Sequence, residues 1–275
     1  MEMKLYDRVF KPKEIVLSNG KKIHQRASRT PLIILLLLIF TYISTKVTET
    51  ELSVLAERGE QFFVILGQMI PPNWSYANNI WRPMIDTIQM SLLGSVLGAL
   101  VAIPIAMLSS SNLIQSRWVT GFFKLFLSIT RTLPTLITAS IATFIFGIGT
   151  TAGTIAIFIF TFSYIGKLMY ENIENIDMGP FEAMESMGLS KVEAFRYAVV
   201  PQIMPTYLSV SLFAFEGNIR YAAILGYVGA GGIGLILNQE LGWRDYANAG
   251  MILLILMVVV FIIEQISEYC RQKLT

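Results

Sequence analysis

The chain is poor in the residues on which most protein chemistry depends. Its one cysteine, Cys270, excludes an intrachain disulfide, and its one histidine, His24, leaves no His/Cys cluster for a transition metal. No His/Cys/carboxylate constellation of an enzyme site can be assembled. No G-x-x-x-x-G-K-[ST] phosphate loop occurs, so ATP, if used, is hydrolysed on another chain. The basic residues of the first thirty positions have no interleaved aromatic platform and precede an apolar run, which excludes a nucleic-acid module. Charge is scarce: 15% of the residues carry one, against about 25% in soluble proteins.

What is present is apolar surface. Of 275 residues 54% are hydrophobic, and the mean hydropathy is +0.59. This is the composition of a polytopic membrane protein, all-α because helices satisfy their own backbone in lipid. Six spans are predicted, at about Pro31 to Thr45, Met84 to Leu108, Val119 to Phe146 (broken near Arg131 and Pro134), Thr151 to Tyr170, Pro201 to Val228 and Ala247 to Ile266. The first span, with a long polar region before it and no small-residue cleavage pattern after it, is read as a retained anchor. Lys4, Arg8, Lys11, Lys13, Lys21, Lys22, Arg26 and Arg29 crowd before it, whereas Lys46, Arg58 and Arg82 are diluted by Glu49, Glu51, Glu57 and Glu60 after it. The N-terminus is therefore expected in the cytoplasm, with the 109–117 loop, the polar stretch after Tyr170 and the C-terminal tail on the same side. Trp74, Trp81, Trp243 and Tyr246 would then belong to the outer aromatic belt, and Trp118 to the inner one. Glu49 to Ile70 reads as an amphipathic helix on the outer surface.

Between the fourth and fifth spans lies a polar segment too short and too charged to span a bilayer. Pro180 can open a helix without losing a hydrogen bond, and Gly188 can close it in a left-handed conformation. Ser190 opens a second helix, with Glu193 three residues on completing a capping box, and Pro201 lacks the N–H that this helix needs to continue undisturbed. A surface hairpin results, on which a soluble partner can dock. The segment Glu182-Ala183-Met184, then Gly188, then Pro201 resembles the EAA loop of ABC-transporter permeases, with Met184, Ala198 and Val200 as apolar departures from its pattern. Gly166-Lys167-Leu168, Glu171 to Asp177, Asn218-Ile219-Arg220 and Leu225 to Gly234 are similar to the phosphonate-transport permeases. Arg131-Thr132-Leu133-Pro134 and the glycine run also resemble methionine-importer permeases.

The resemblance covers about Met84 to Leu274 and implies a type I ABC importer permease with a methionine-importer-like core. Residues 1–30 would be a cytoplasmic extension and 31–275 the permease domain, with the outer segment over about 47–82 and the coupling hairpin over about 178–200. Glu182, Ala183, Gly188 and Pro201 would couple to a pair of ATPase subunits that hold ATP and Mg, no cofactor being bound by this chain. An extracytoplasmic binding protein and a second permease, identical or related, would complete the assembly in a bacterial inner membrane. The implied solute is phosphonate or another phosphorus oxyanion, with a methionine-like or other small solute as the alternative.

Polar groups inside spans are the candidates for the pathway. Glu216 and Arg220 stand four apart on one helical face, either as a simple pair or with Arg220, near the outer end of the fifth span, attracting an oxyanion. Asn218, Thr135 and Thr138 join them, with Thr130, Thr132 and Ser140 as further members of a polar track. Hydroxyls in such helices also bond their own preceding carbonyls. Gly229 to Gly234 fits G-x-G-x-x-G but lacks the strand and βαβ context of a nucleotide site. Gly231 and Gly232 there let backbone approach backbone, or line a cavity at membrane depth, before an outer loop. A stand-alone secondary transporter would need mid-membrane coupling carboxylates, for which Glu216 is the one obvious candidate.

Overall fold

The computed structural model describes residues 14–16, 20, 22–24, 29–49 and 52–274. Lys4, Arg8, Lys11, Lys13, Lys21, Arg26 and Glu51, which entered the topology argument, lie outside the described residues. The chain forms two compact units, Met1–Val64 and Ile65–Thr275. In the first, a two-stranded antiparallel ribbon pairs β1 (Glu14–Val16) with β2 (Lys22–His24), Ile15 opposite Ile23, an addition to the all-helical expectation. It is followed by α1 (Thr30–Val47), apolar on every side and exposed along its length, as a lipid-facing span must be. The helix α2 (Leu52–Met69) straddles the boundary between the units.

The second unit holds α3 (Ala77–Ser109), α4 (Arg117–Thr132), α5 (Thr135–Phe146), α6 (Thr150–Asn175), the hairpin helices α7 (Gly179–Ser186) and α8 (Lys191–Ala194), then α9 (Val200–Leu225), α10 (Ile233–Trp243) and α11 (Tyr246–Gln272). Among the described residues five helices are long and apolar enough to cross a membrane, or six if the bent pair α4 and α5 counts as one span. The expected break is there: Pro134 cannot donate to the carbonyl of a continuing helix, and α4 and α5 meet at 87°.

Packing decides how that pair must be counted. Gly94 of α3 lies against Ile157 of α6, Gly98 against Thr161 and Phe162, and the Ser111 N–H after α3 reaches Glu174 at 2.8 Å. Residue numbers rise together, so α3 and α6 are parallel neighbours. Parallel neighbours need a return, and only α4 and α5 lie between them, so the bent pair carries the chain back across. One end of the bundle therefore collects the loop after α3, the hairpin and the C-terminal end of α11. The other end collects Asn73, Trp74 and the turn from α10 to α11, tied by Asn73 N–H to the Ala247 carbonyl at 3.1 Å and Asn73 Nδ2 to Asn248 Oδ1 at 2.8 Å.

Two expectations are corrected here. The stretch after the glycine run, read as a loop, is the helix α10, too short to announce itself as a span. Nor does Pro201 end the second hairpin helix. A wide π-type turn at Phe195–Val199, in which the Val200 N–H reaches back to the Phe195 carbonyl, leaves room for the proline ring, and the chain runs on as helix from Lys191 into α9.

Candidate functional sites: the surface hairpin and the polar groups of the spans

The hairpin is built by local rules. Pro180 occupies the first turn of α7, and Gly188 follows the helix at φ +90°. The Leu189 N–H bonds the Met184 carbonyl at 3.2 Å and the Gly188 N–H bonds the Glu185 carbonyl at 2.9 Å, a Schellman closure. Ser190 and Glu193 then exchange caps, Ser190 N–H to Glu193 Oε2 at 2.8 Å and Glu193 N–H to Ser190 Oγ at 3.3 Å. The underside is apolar. Phe181, Ala194, Phe195, Ala198 and Val199 are buried in one cluster with Leu113 and Ile173. The outer side leaves Glu182, Ala183, Glu185 and Lys191 exposed around Met187 and Val192, which are 70% and 68% exposed. An apolar patch ringed by charge, on a rigid capped support, is a surface shaped for a protein partner.

The hairpin is also braced from behind. Glu174, at the end of α6, accepts from Lys124 Nζ of α4 and from the Ser111 N–H, both at 2.8 Å, and Lys124 Nζ bonds Ser111 Oγ at 2.9 Å. Asn112 Nδ2 donates to the Ile173 carbonyl at 2.7 Å, and Gln202 Nε2 to the Asp177 carbonyl at 3.0 Å.

The polar residues of the spans separate into three groups. Asn218, almost fully buried, donates from one Nδ2 to Ser95 Oγ of α3 and Thr161 Oγ1 of α6, each at 2.8 Å. Its amide is committed to a crossing of three helices and does not face an open path. Most hydroxyls of the predicted polar track bond carbonyls of their own helices: Thr130 to Phe126, Thr132 to Ile129, Thr138 to Pro134 and Ser140 to Leu136. Thr135 opens α5 at the bend and, like Thr138, is half-buried.

Glu216 and Arg220 do pair on α9, but sequence reasoning missed the third member. Glu216 Oε1 takes the Arg220 guanidinium while Glu216 Oε2 accepts from Arg271 Nη1, at 3.3 Å, from the far end of α11. The Glu216 side chain is 4% exposed, that of Arg271 21% and that of Arg220 50%. Arg220 does stand near the C-terminal end of α9. Its partner's contact with Arg271, however, puts the pair on the reach of the hairpin-side end of α11, and the chain continues through the glycine run and α10 before it turns. The sequence showed Arg271 only as a basic residue in the last turn of a span, with Glu268 three positions before it as the local partner.

Gly231 and Gly232 sit at φ +77° and +69°. A Cβ on Gly231 would lie 2.7 Å from the Thr150 nitrogen, the Gly149 N–H bonds the Gly229 carbonyl at 3.0 Å, and the Ile233 N–H bonds Thr87 Oγ1 at 2.7 Å. The run is a joint between the chain entering α10 and the chain entering α6. Among the described residues no group of His, Cys, Asp and Glu could hold a metal. At the end opposite the hairpin, Gln68 and residues 243–247 line an open concavity of about 520 Å³.

Comparison with known proteins gives this geometry its family. Over 208 residues, 76% of each chain, the protein is 30% identical to the phosphite transport system permease protein PtxC of Stutzerimonas stutzeri. It is 28% identical to the putative phosphite transport system permease protein HtxC of the same organism over 94% of this chain and 92% of that one. The phosphate-import permease protein PhnE of Mycolicibacterium smegmatis is 31% identical over 76% of this chain and 40% of its own length. The fold matches the inward-facing MetNI methionine ABC transporter with a TM-score of 0.62 at 21% identity, over 71% of this chain and 96% of that one. In such transporters ATP is handled by a partner ATPase, and the permease is a non-catalytic, multi-pass subunit of the inner membrane. Residues 94–266 match the family model of the binding-protein-dependent transport system inner membrane component, and the chain belongs to that family of ABC importer permeases.

Proposed function

We propose that this chain is the translocation subunit of an importer for a phosphorus oxyanion, phosphite, phosphonate or phosphate. The observation that carries the proposal is the 30% identity to a phosphite permease over three-quarters of both chains. The hairpin is its coupling surface: Glu182, Ala183 and Gly188 lie on the exposed face that meets the ATPase pair, and Pro201 lies where the hairpin joins α9. The hairpin end is read as cytoplasmic because it carries more Lys and Arg, namely Arg117, Lys124, Lys167, Lys191 and Arg196, than the other end, which has Arg82 and Arg244. The open concavity beside Trp243 then faces the binding protein, and a second permease copy or relative completes the path. Arg220, half exposed on α9, is the cation that the anion meets, and Gly231 and Gly232 shape the joint that follows α9.

The test is uptake by proteoliposomes holding the permease, its ATPase and its binding protein. Labelled phosphite, methylphosphonate or phosphate is taken up with ATP, and methionine is not; uptake of methionine alone overturns the substrate class. Arg220→Lys retains partial uptake and Arg220→Gln loses most of it. Cysteine labels at Ser190 and Ser75 report the sides, reachable from the cytoplasm and from outside respectively, and reversed access overturns the orientation.

A further inference from the structure

The Glu216 carboxylate has one arginine on each oxygen, and the two arginines are held very differently. Arg271 is pinned: it bonds Glu216 Oε2, lies 3.8 Å from Glu268 and sits over the Phe213 ring at 5.7 Å. Arg220 bonds only Glu216 Oε1 among the described residues, and half of its side chain is exposed. A buried carboxylate with one arginine cannot release it, because the uncompensated charge left behind is far costlier than the lost pair. A carboxylate with two can release one.

We propose that Glu216 and Arg271 form a holding pair that frees Arg220 to leave its carboxylate and take an oxyanion, so that Arg271 is a positioning residue for anion passage. The guanidinium of Arg220 exchanges one anionic partner for another, while Arg271 keeps the buried carboxylate compensated. Glu216 gives Arg220 one oxygen, the other being taken by Arg271, whereas a tetrahedral phosphorus oxyanion offers two oxygens to the same guanidinium fork. No bond is made or broken, and charge is conserved. This inference rests on the anion-pathway reading of Arg220 above, and its test separates the two.

The probe is phenylglyoxal, which modifies free guanidinium groups, applied to the assembled transporter in lipid, with modification of Arg220 read by mass spectrometry. In Arg271→Gln, Glu216 has only Arg220 left, and the modification rate of Arg220 falls about tenfold or more, because its release now leaves a buried carboxylate uncompensated. In Glu216→Gln/Arg271→Gln nothing holds Arg220, and the rate rises above wild type. Arg271→Lys, which keeps a cation, lies between wild type and Arg271→Gln and serves in its place should that variant fail to assemble. Uptake follows the same order, lost in Arg271→Gln and recovered in the double variant, while the thermal midpoint of Arg271→Gln stays close to wild type because its carboxylate remains paired. An unchanged Arg220 rate in Arg271→Gln and Arg271→Lys, or loss of uptake that the double variant does not recover, overturns the holding pair. Rates that shift as expected without protection by phosphite, methylphosphonate or phosphate overturn the substrate class and leave the holding pair standing.

Discussion

The hairpin and the glycine run use the same backbone device in opposite surroundings. Gly188 turns the chain at φ +90° with nothing within 4 Å of where a Cβ would stand, whereas Gly231 turns it at +77° against the backbone of Gly149 and Thr150. At the hairpin glycine is required for conformation alone, and the space around it is open. In the glycine run it is required for conformation and for closeness, and the space is already used. One site is open around its glycine; the other is a joint that cannot accept another atom.

That contrast breaks most visibly at the joint. Gly231→Val should abolish assembly, adding about 1–3 kcal/mol of overpacking to about 1–3 kcal/mol for a side chain forced into this backbone region. Loss of the monodisperse peak in detergent chromatography checks it, and a normally assembled variant would mean the two backbones can part. Next comes Asn218→Ala, which removes the donor shared by Ser95 and Thr161 and should cost about 1–2 kcal/mol in a membrane helix bundle. A lowered thermal midpoint with orientation labels unchanged is the expected result; an unchanged midpoint with lost uptake would instead make Asn218 a pathway residue.

Smaller in stability, but larger in its functional share, is Gly188→Ala. The left-handed turn costs a Cβ about 1–2 kcal/mol and meets no neighbour, so assembly should survive while uptake per ATP hydrolysed falls. Preserved coupling would reduce the hairpin to an ordinary loop. Ser190→Ala should show the least, about 1 kcal/mol of local helix stability from the lost cap. Faster hydrogen exchange confined to residues 190–195 checks it, and exchange spreading into α9 would show that the cap holds more than its own turn.

Local features were legible in the sequence and long-range ones were not. The caps of the hairpin depend on neighbours three to five positions apart, so Pro180, Gly188, Ser190 and Glu193 announced themselves. The bend at Pro134 follows from one missing N–H. Pro201 misled for the same reason: the rule that proline stops a helix holds for the ordinary turn, and the wide turn at Phe195–Val199 evades it. The helix α10 was hidden because 11 residues after a glycine run carry too few turns to show a period. Arg271 was invisible as a partner because 55 positions separate it from Glu216. Asn218 was visible as a buried polar group, but only the crossing of three helices says what its amide does.

The unbroken helix from Lys191 to Leu225 has a mechanical consequence. Asn218 ties it to α3 and α6 through two short bonds from one amide nitrogen, and a tie at that level would act as a fulcrum. With a rise of about 1.5 Å per residue, the arm from Lys191 to Asn218 is about 40 Å and the arm from Asn218 to Leu225 about 10 Å. A stroke of about 4 Å at the hairpin is thereby geared down to about 1 Å at the glycine joint. Arms of these lengths would trade travel for force, and the short one ends at a joint with little room to absorb it.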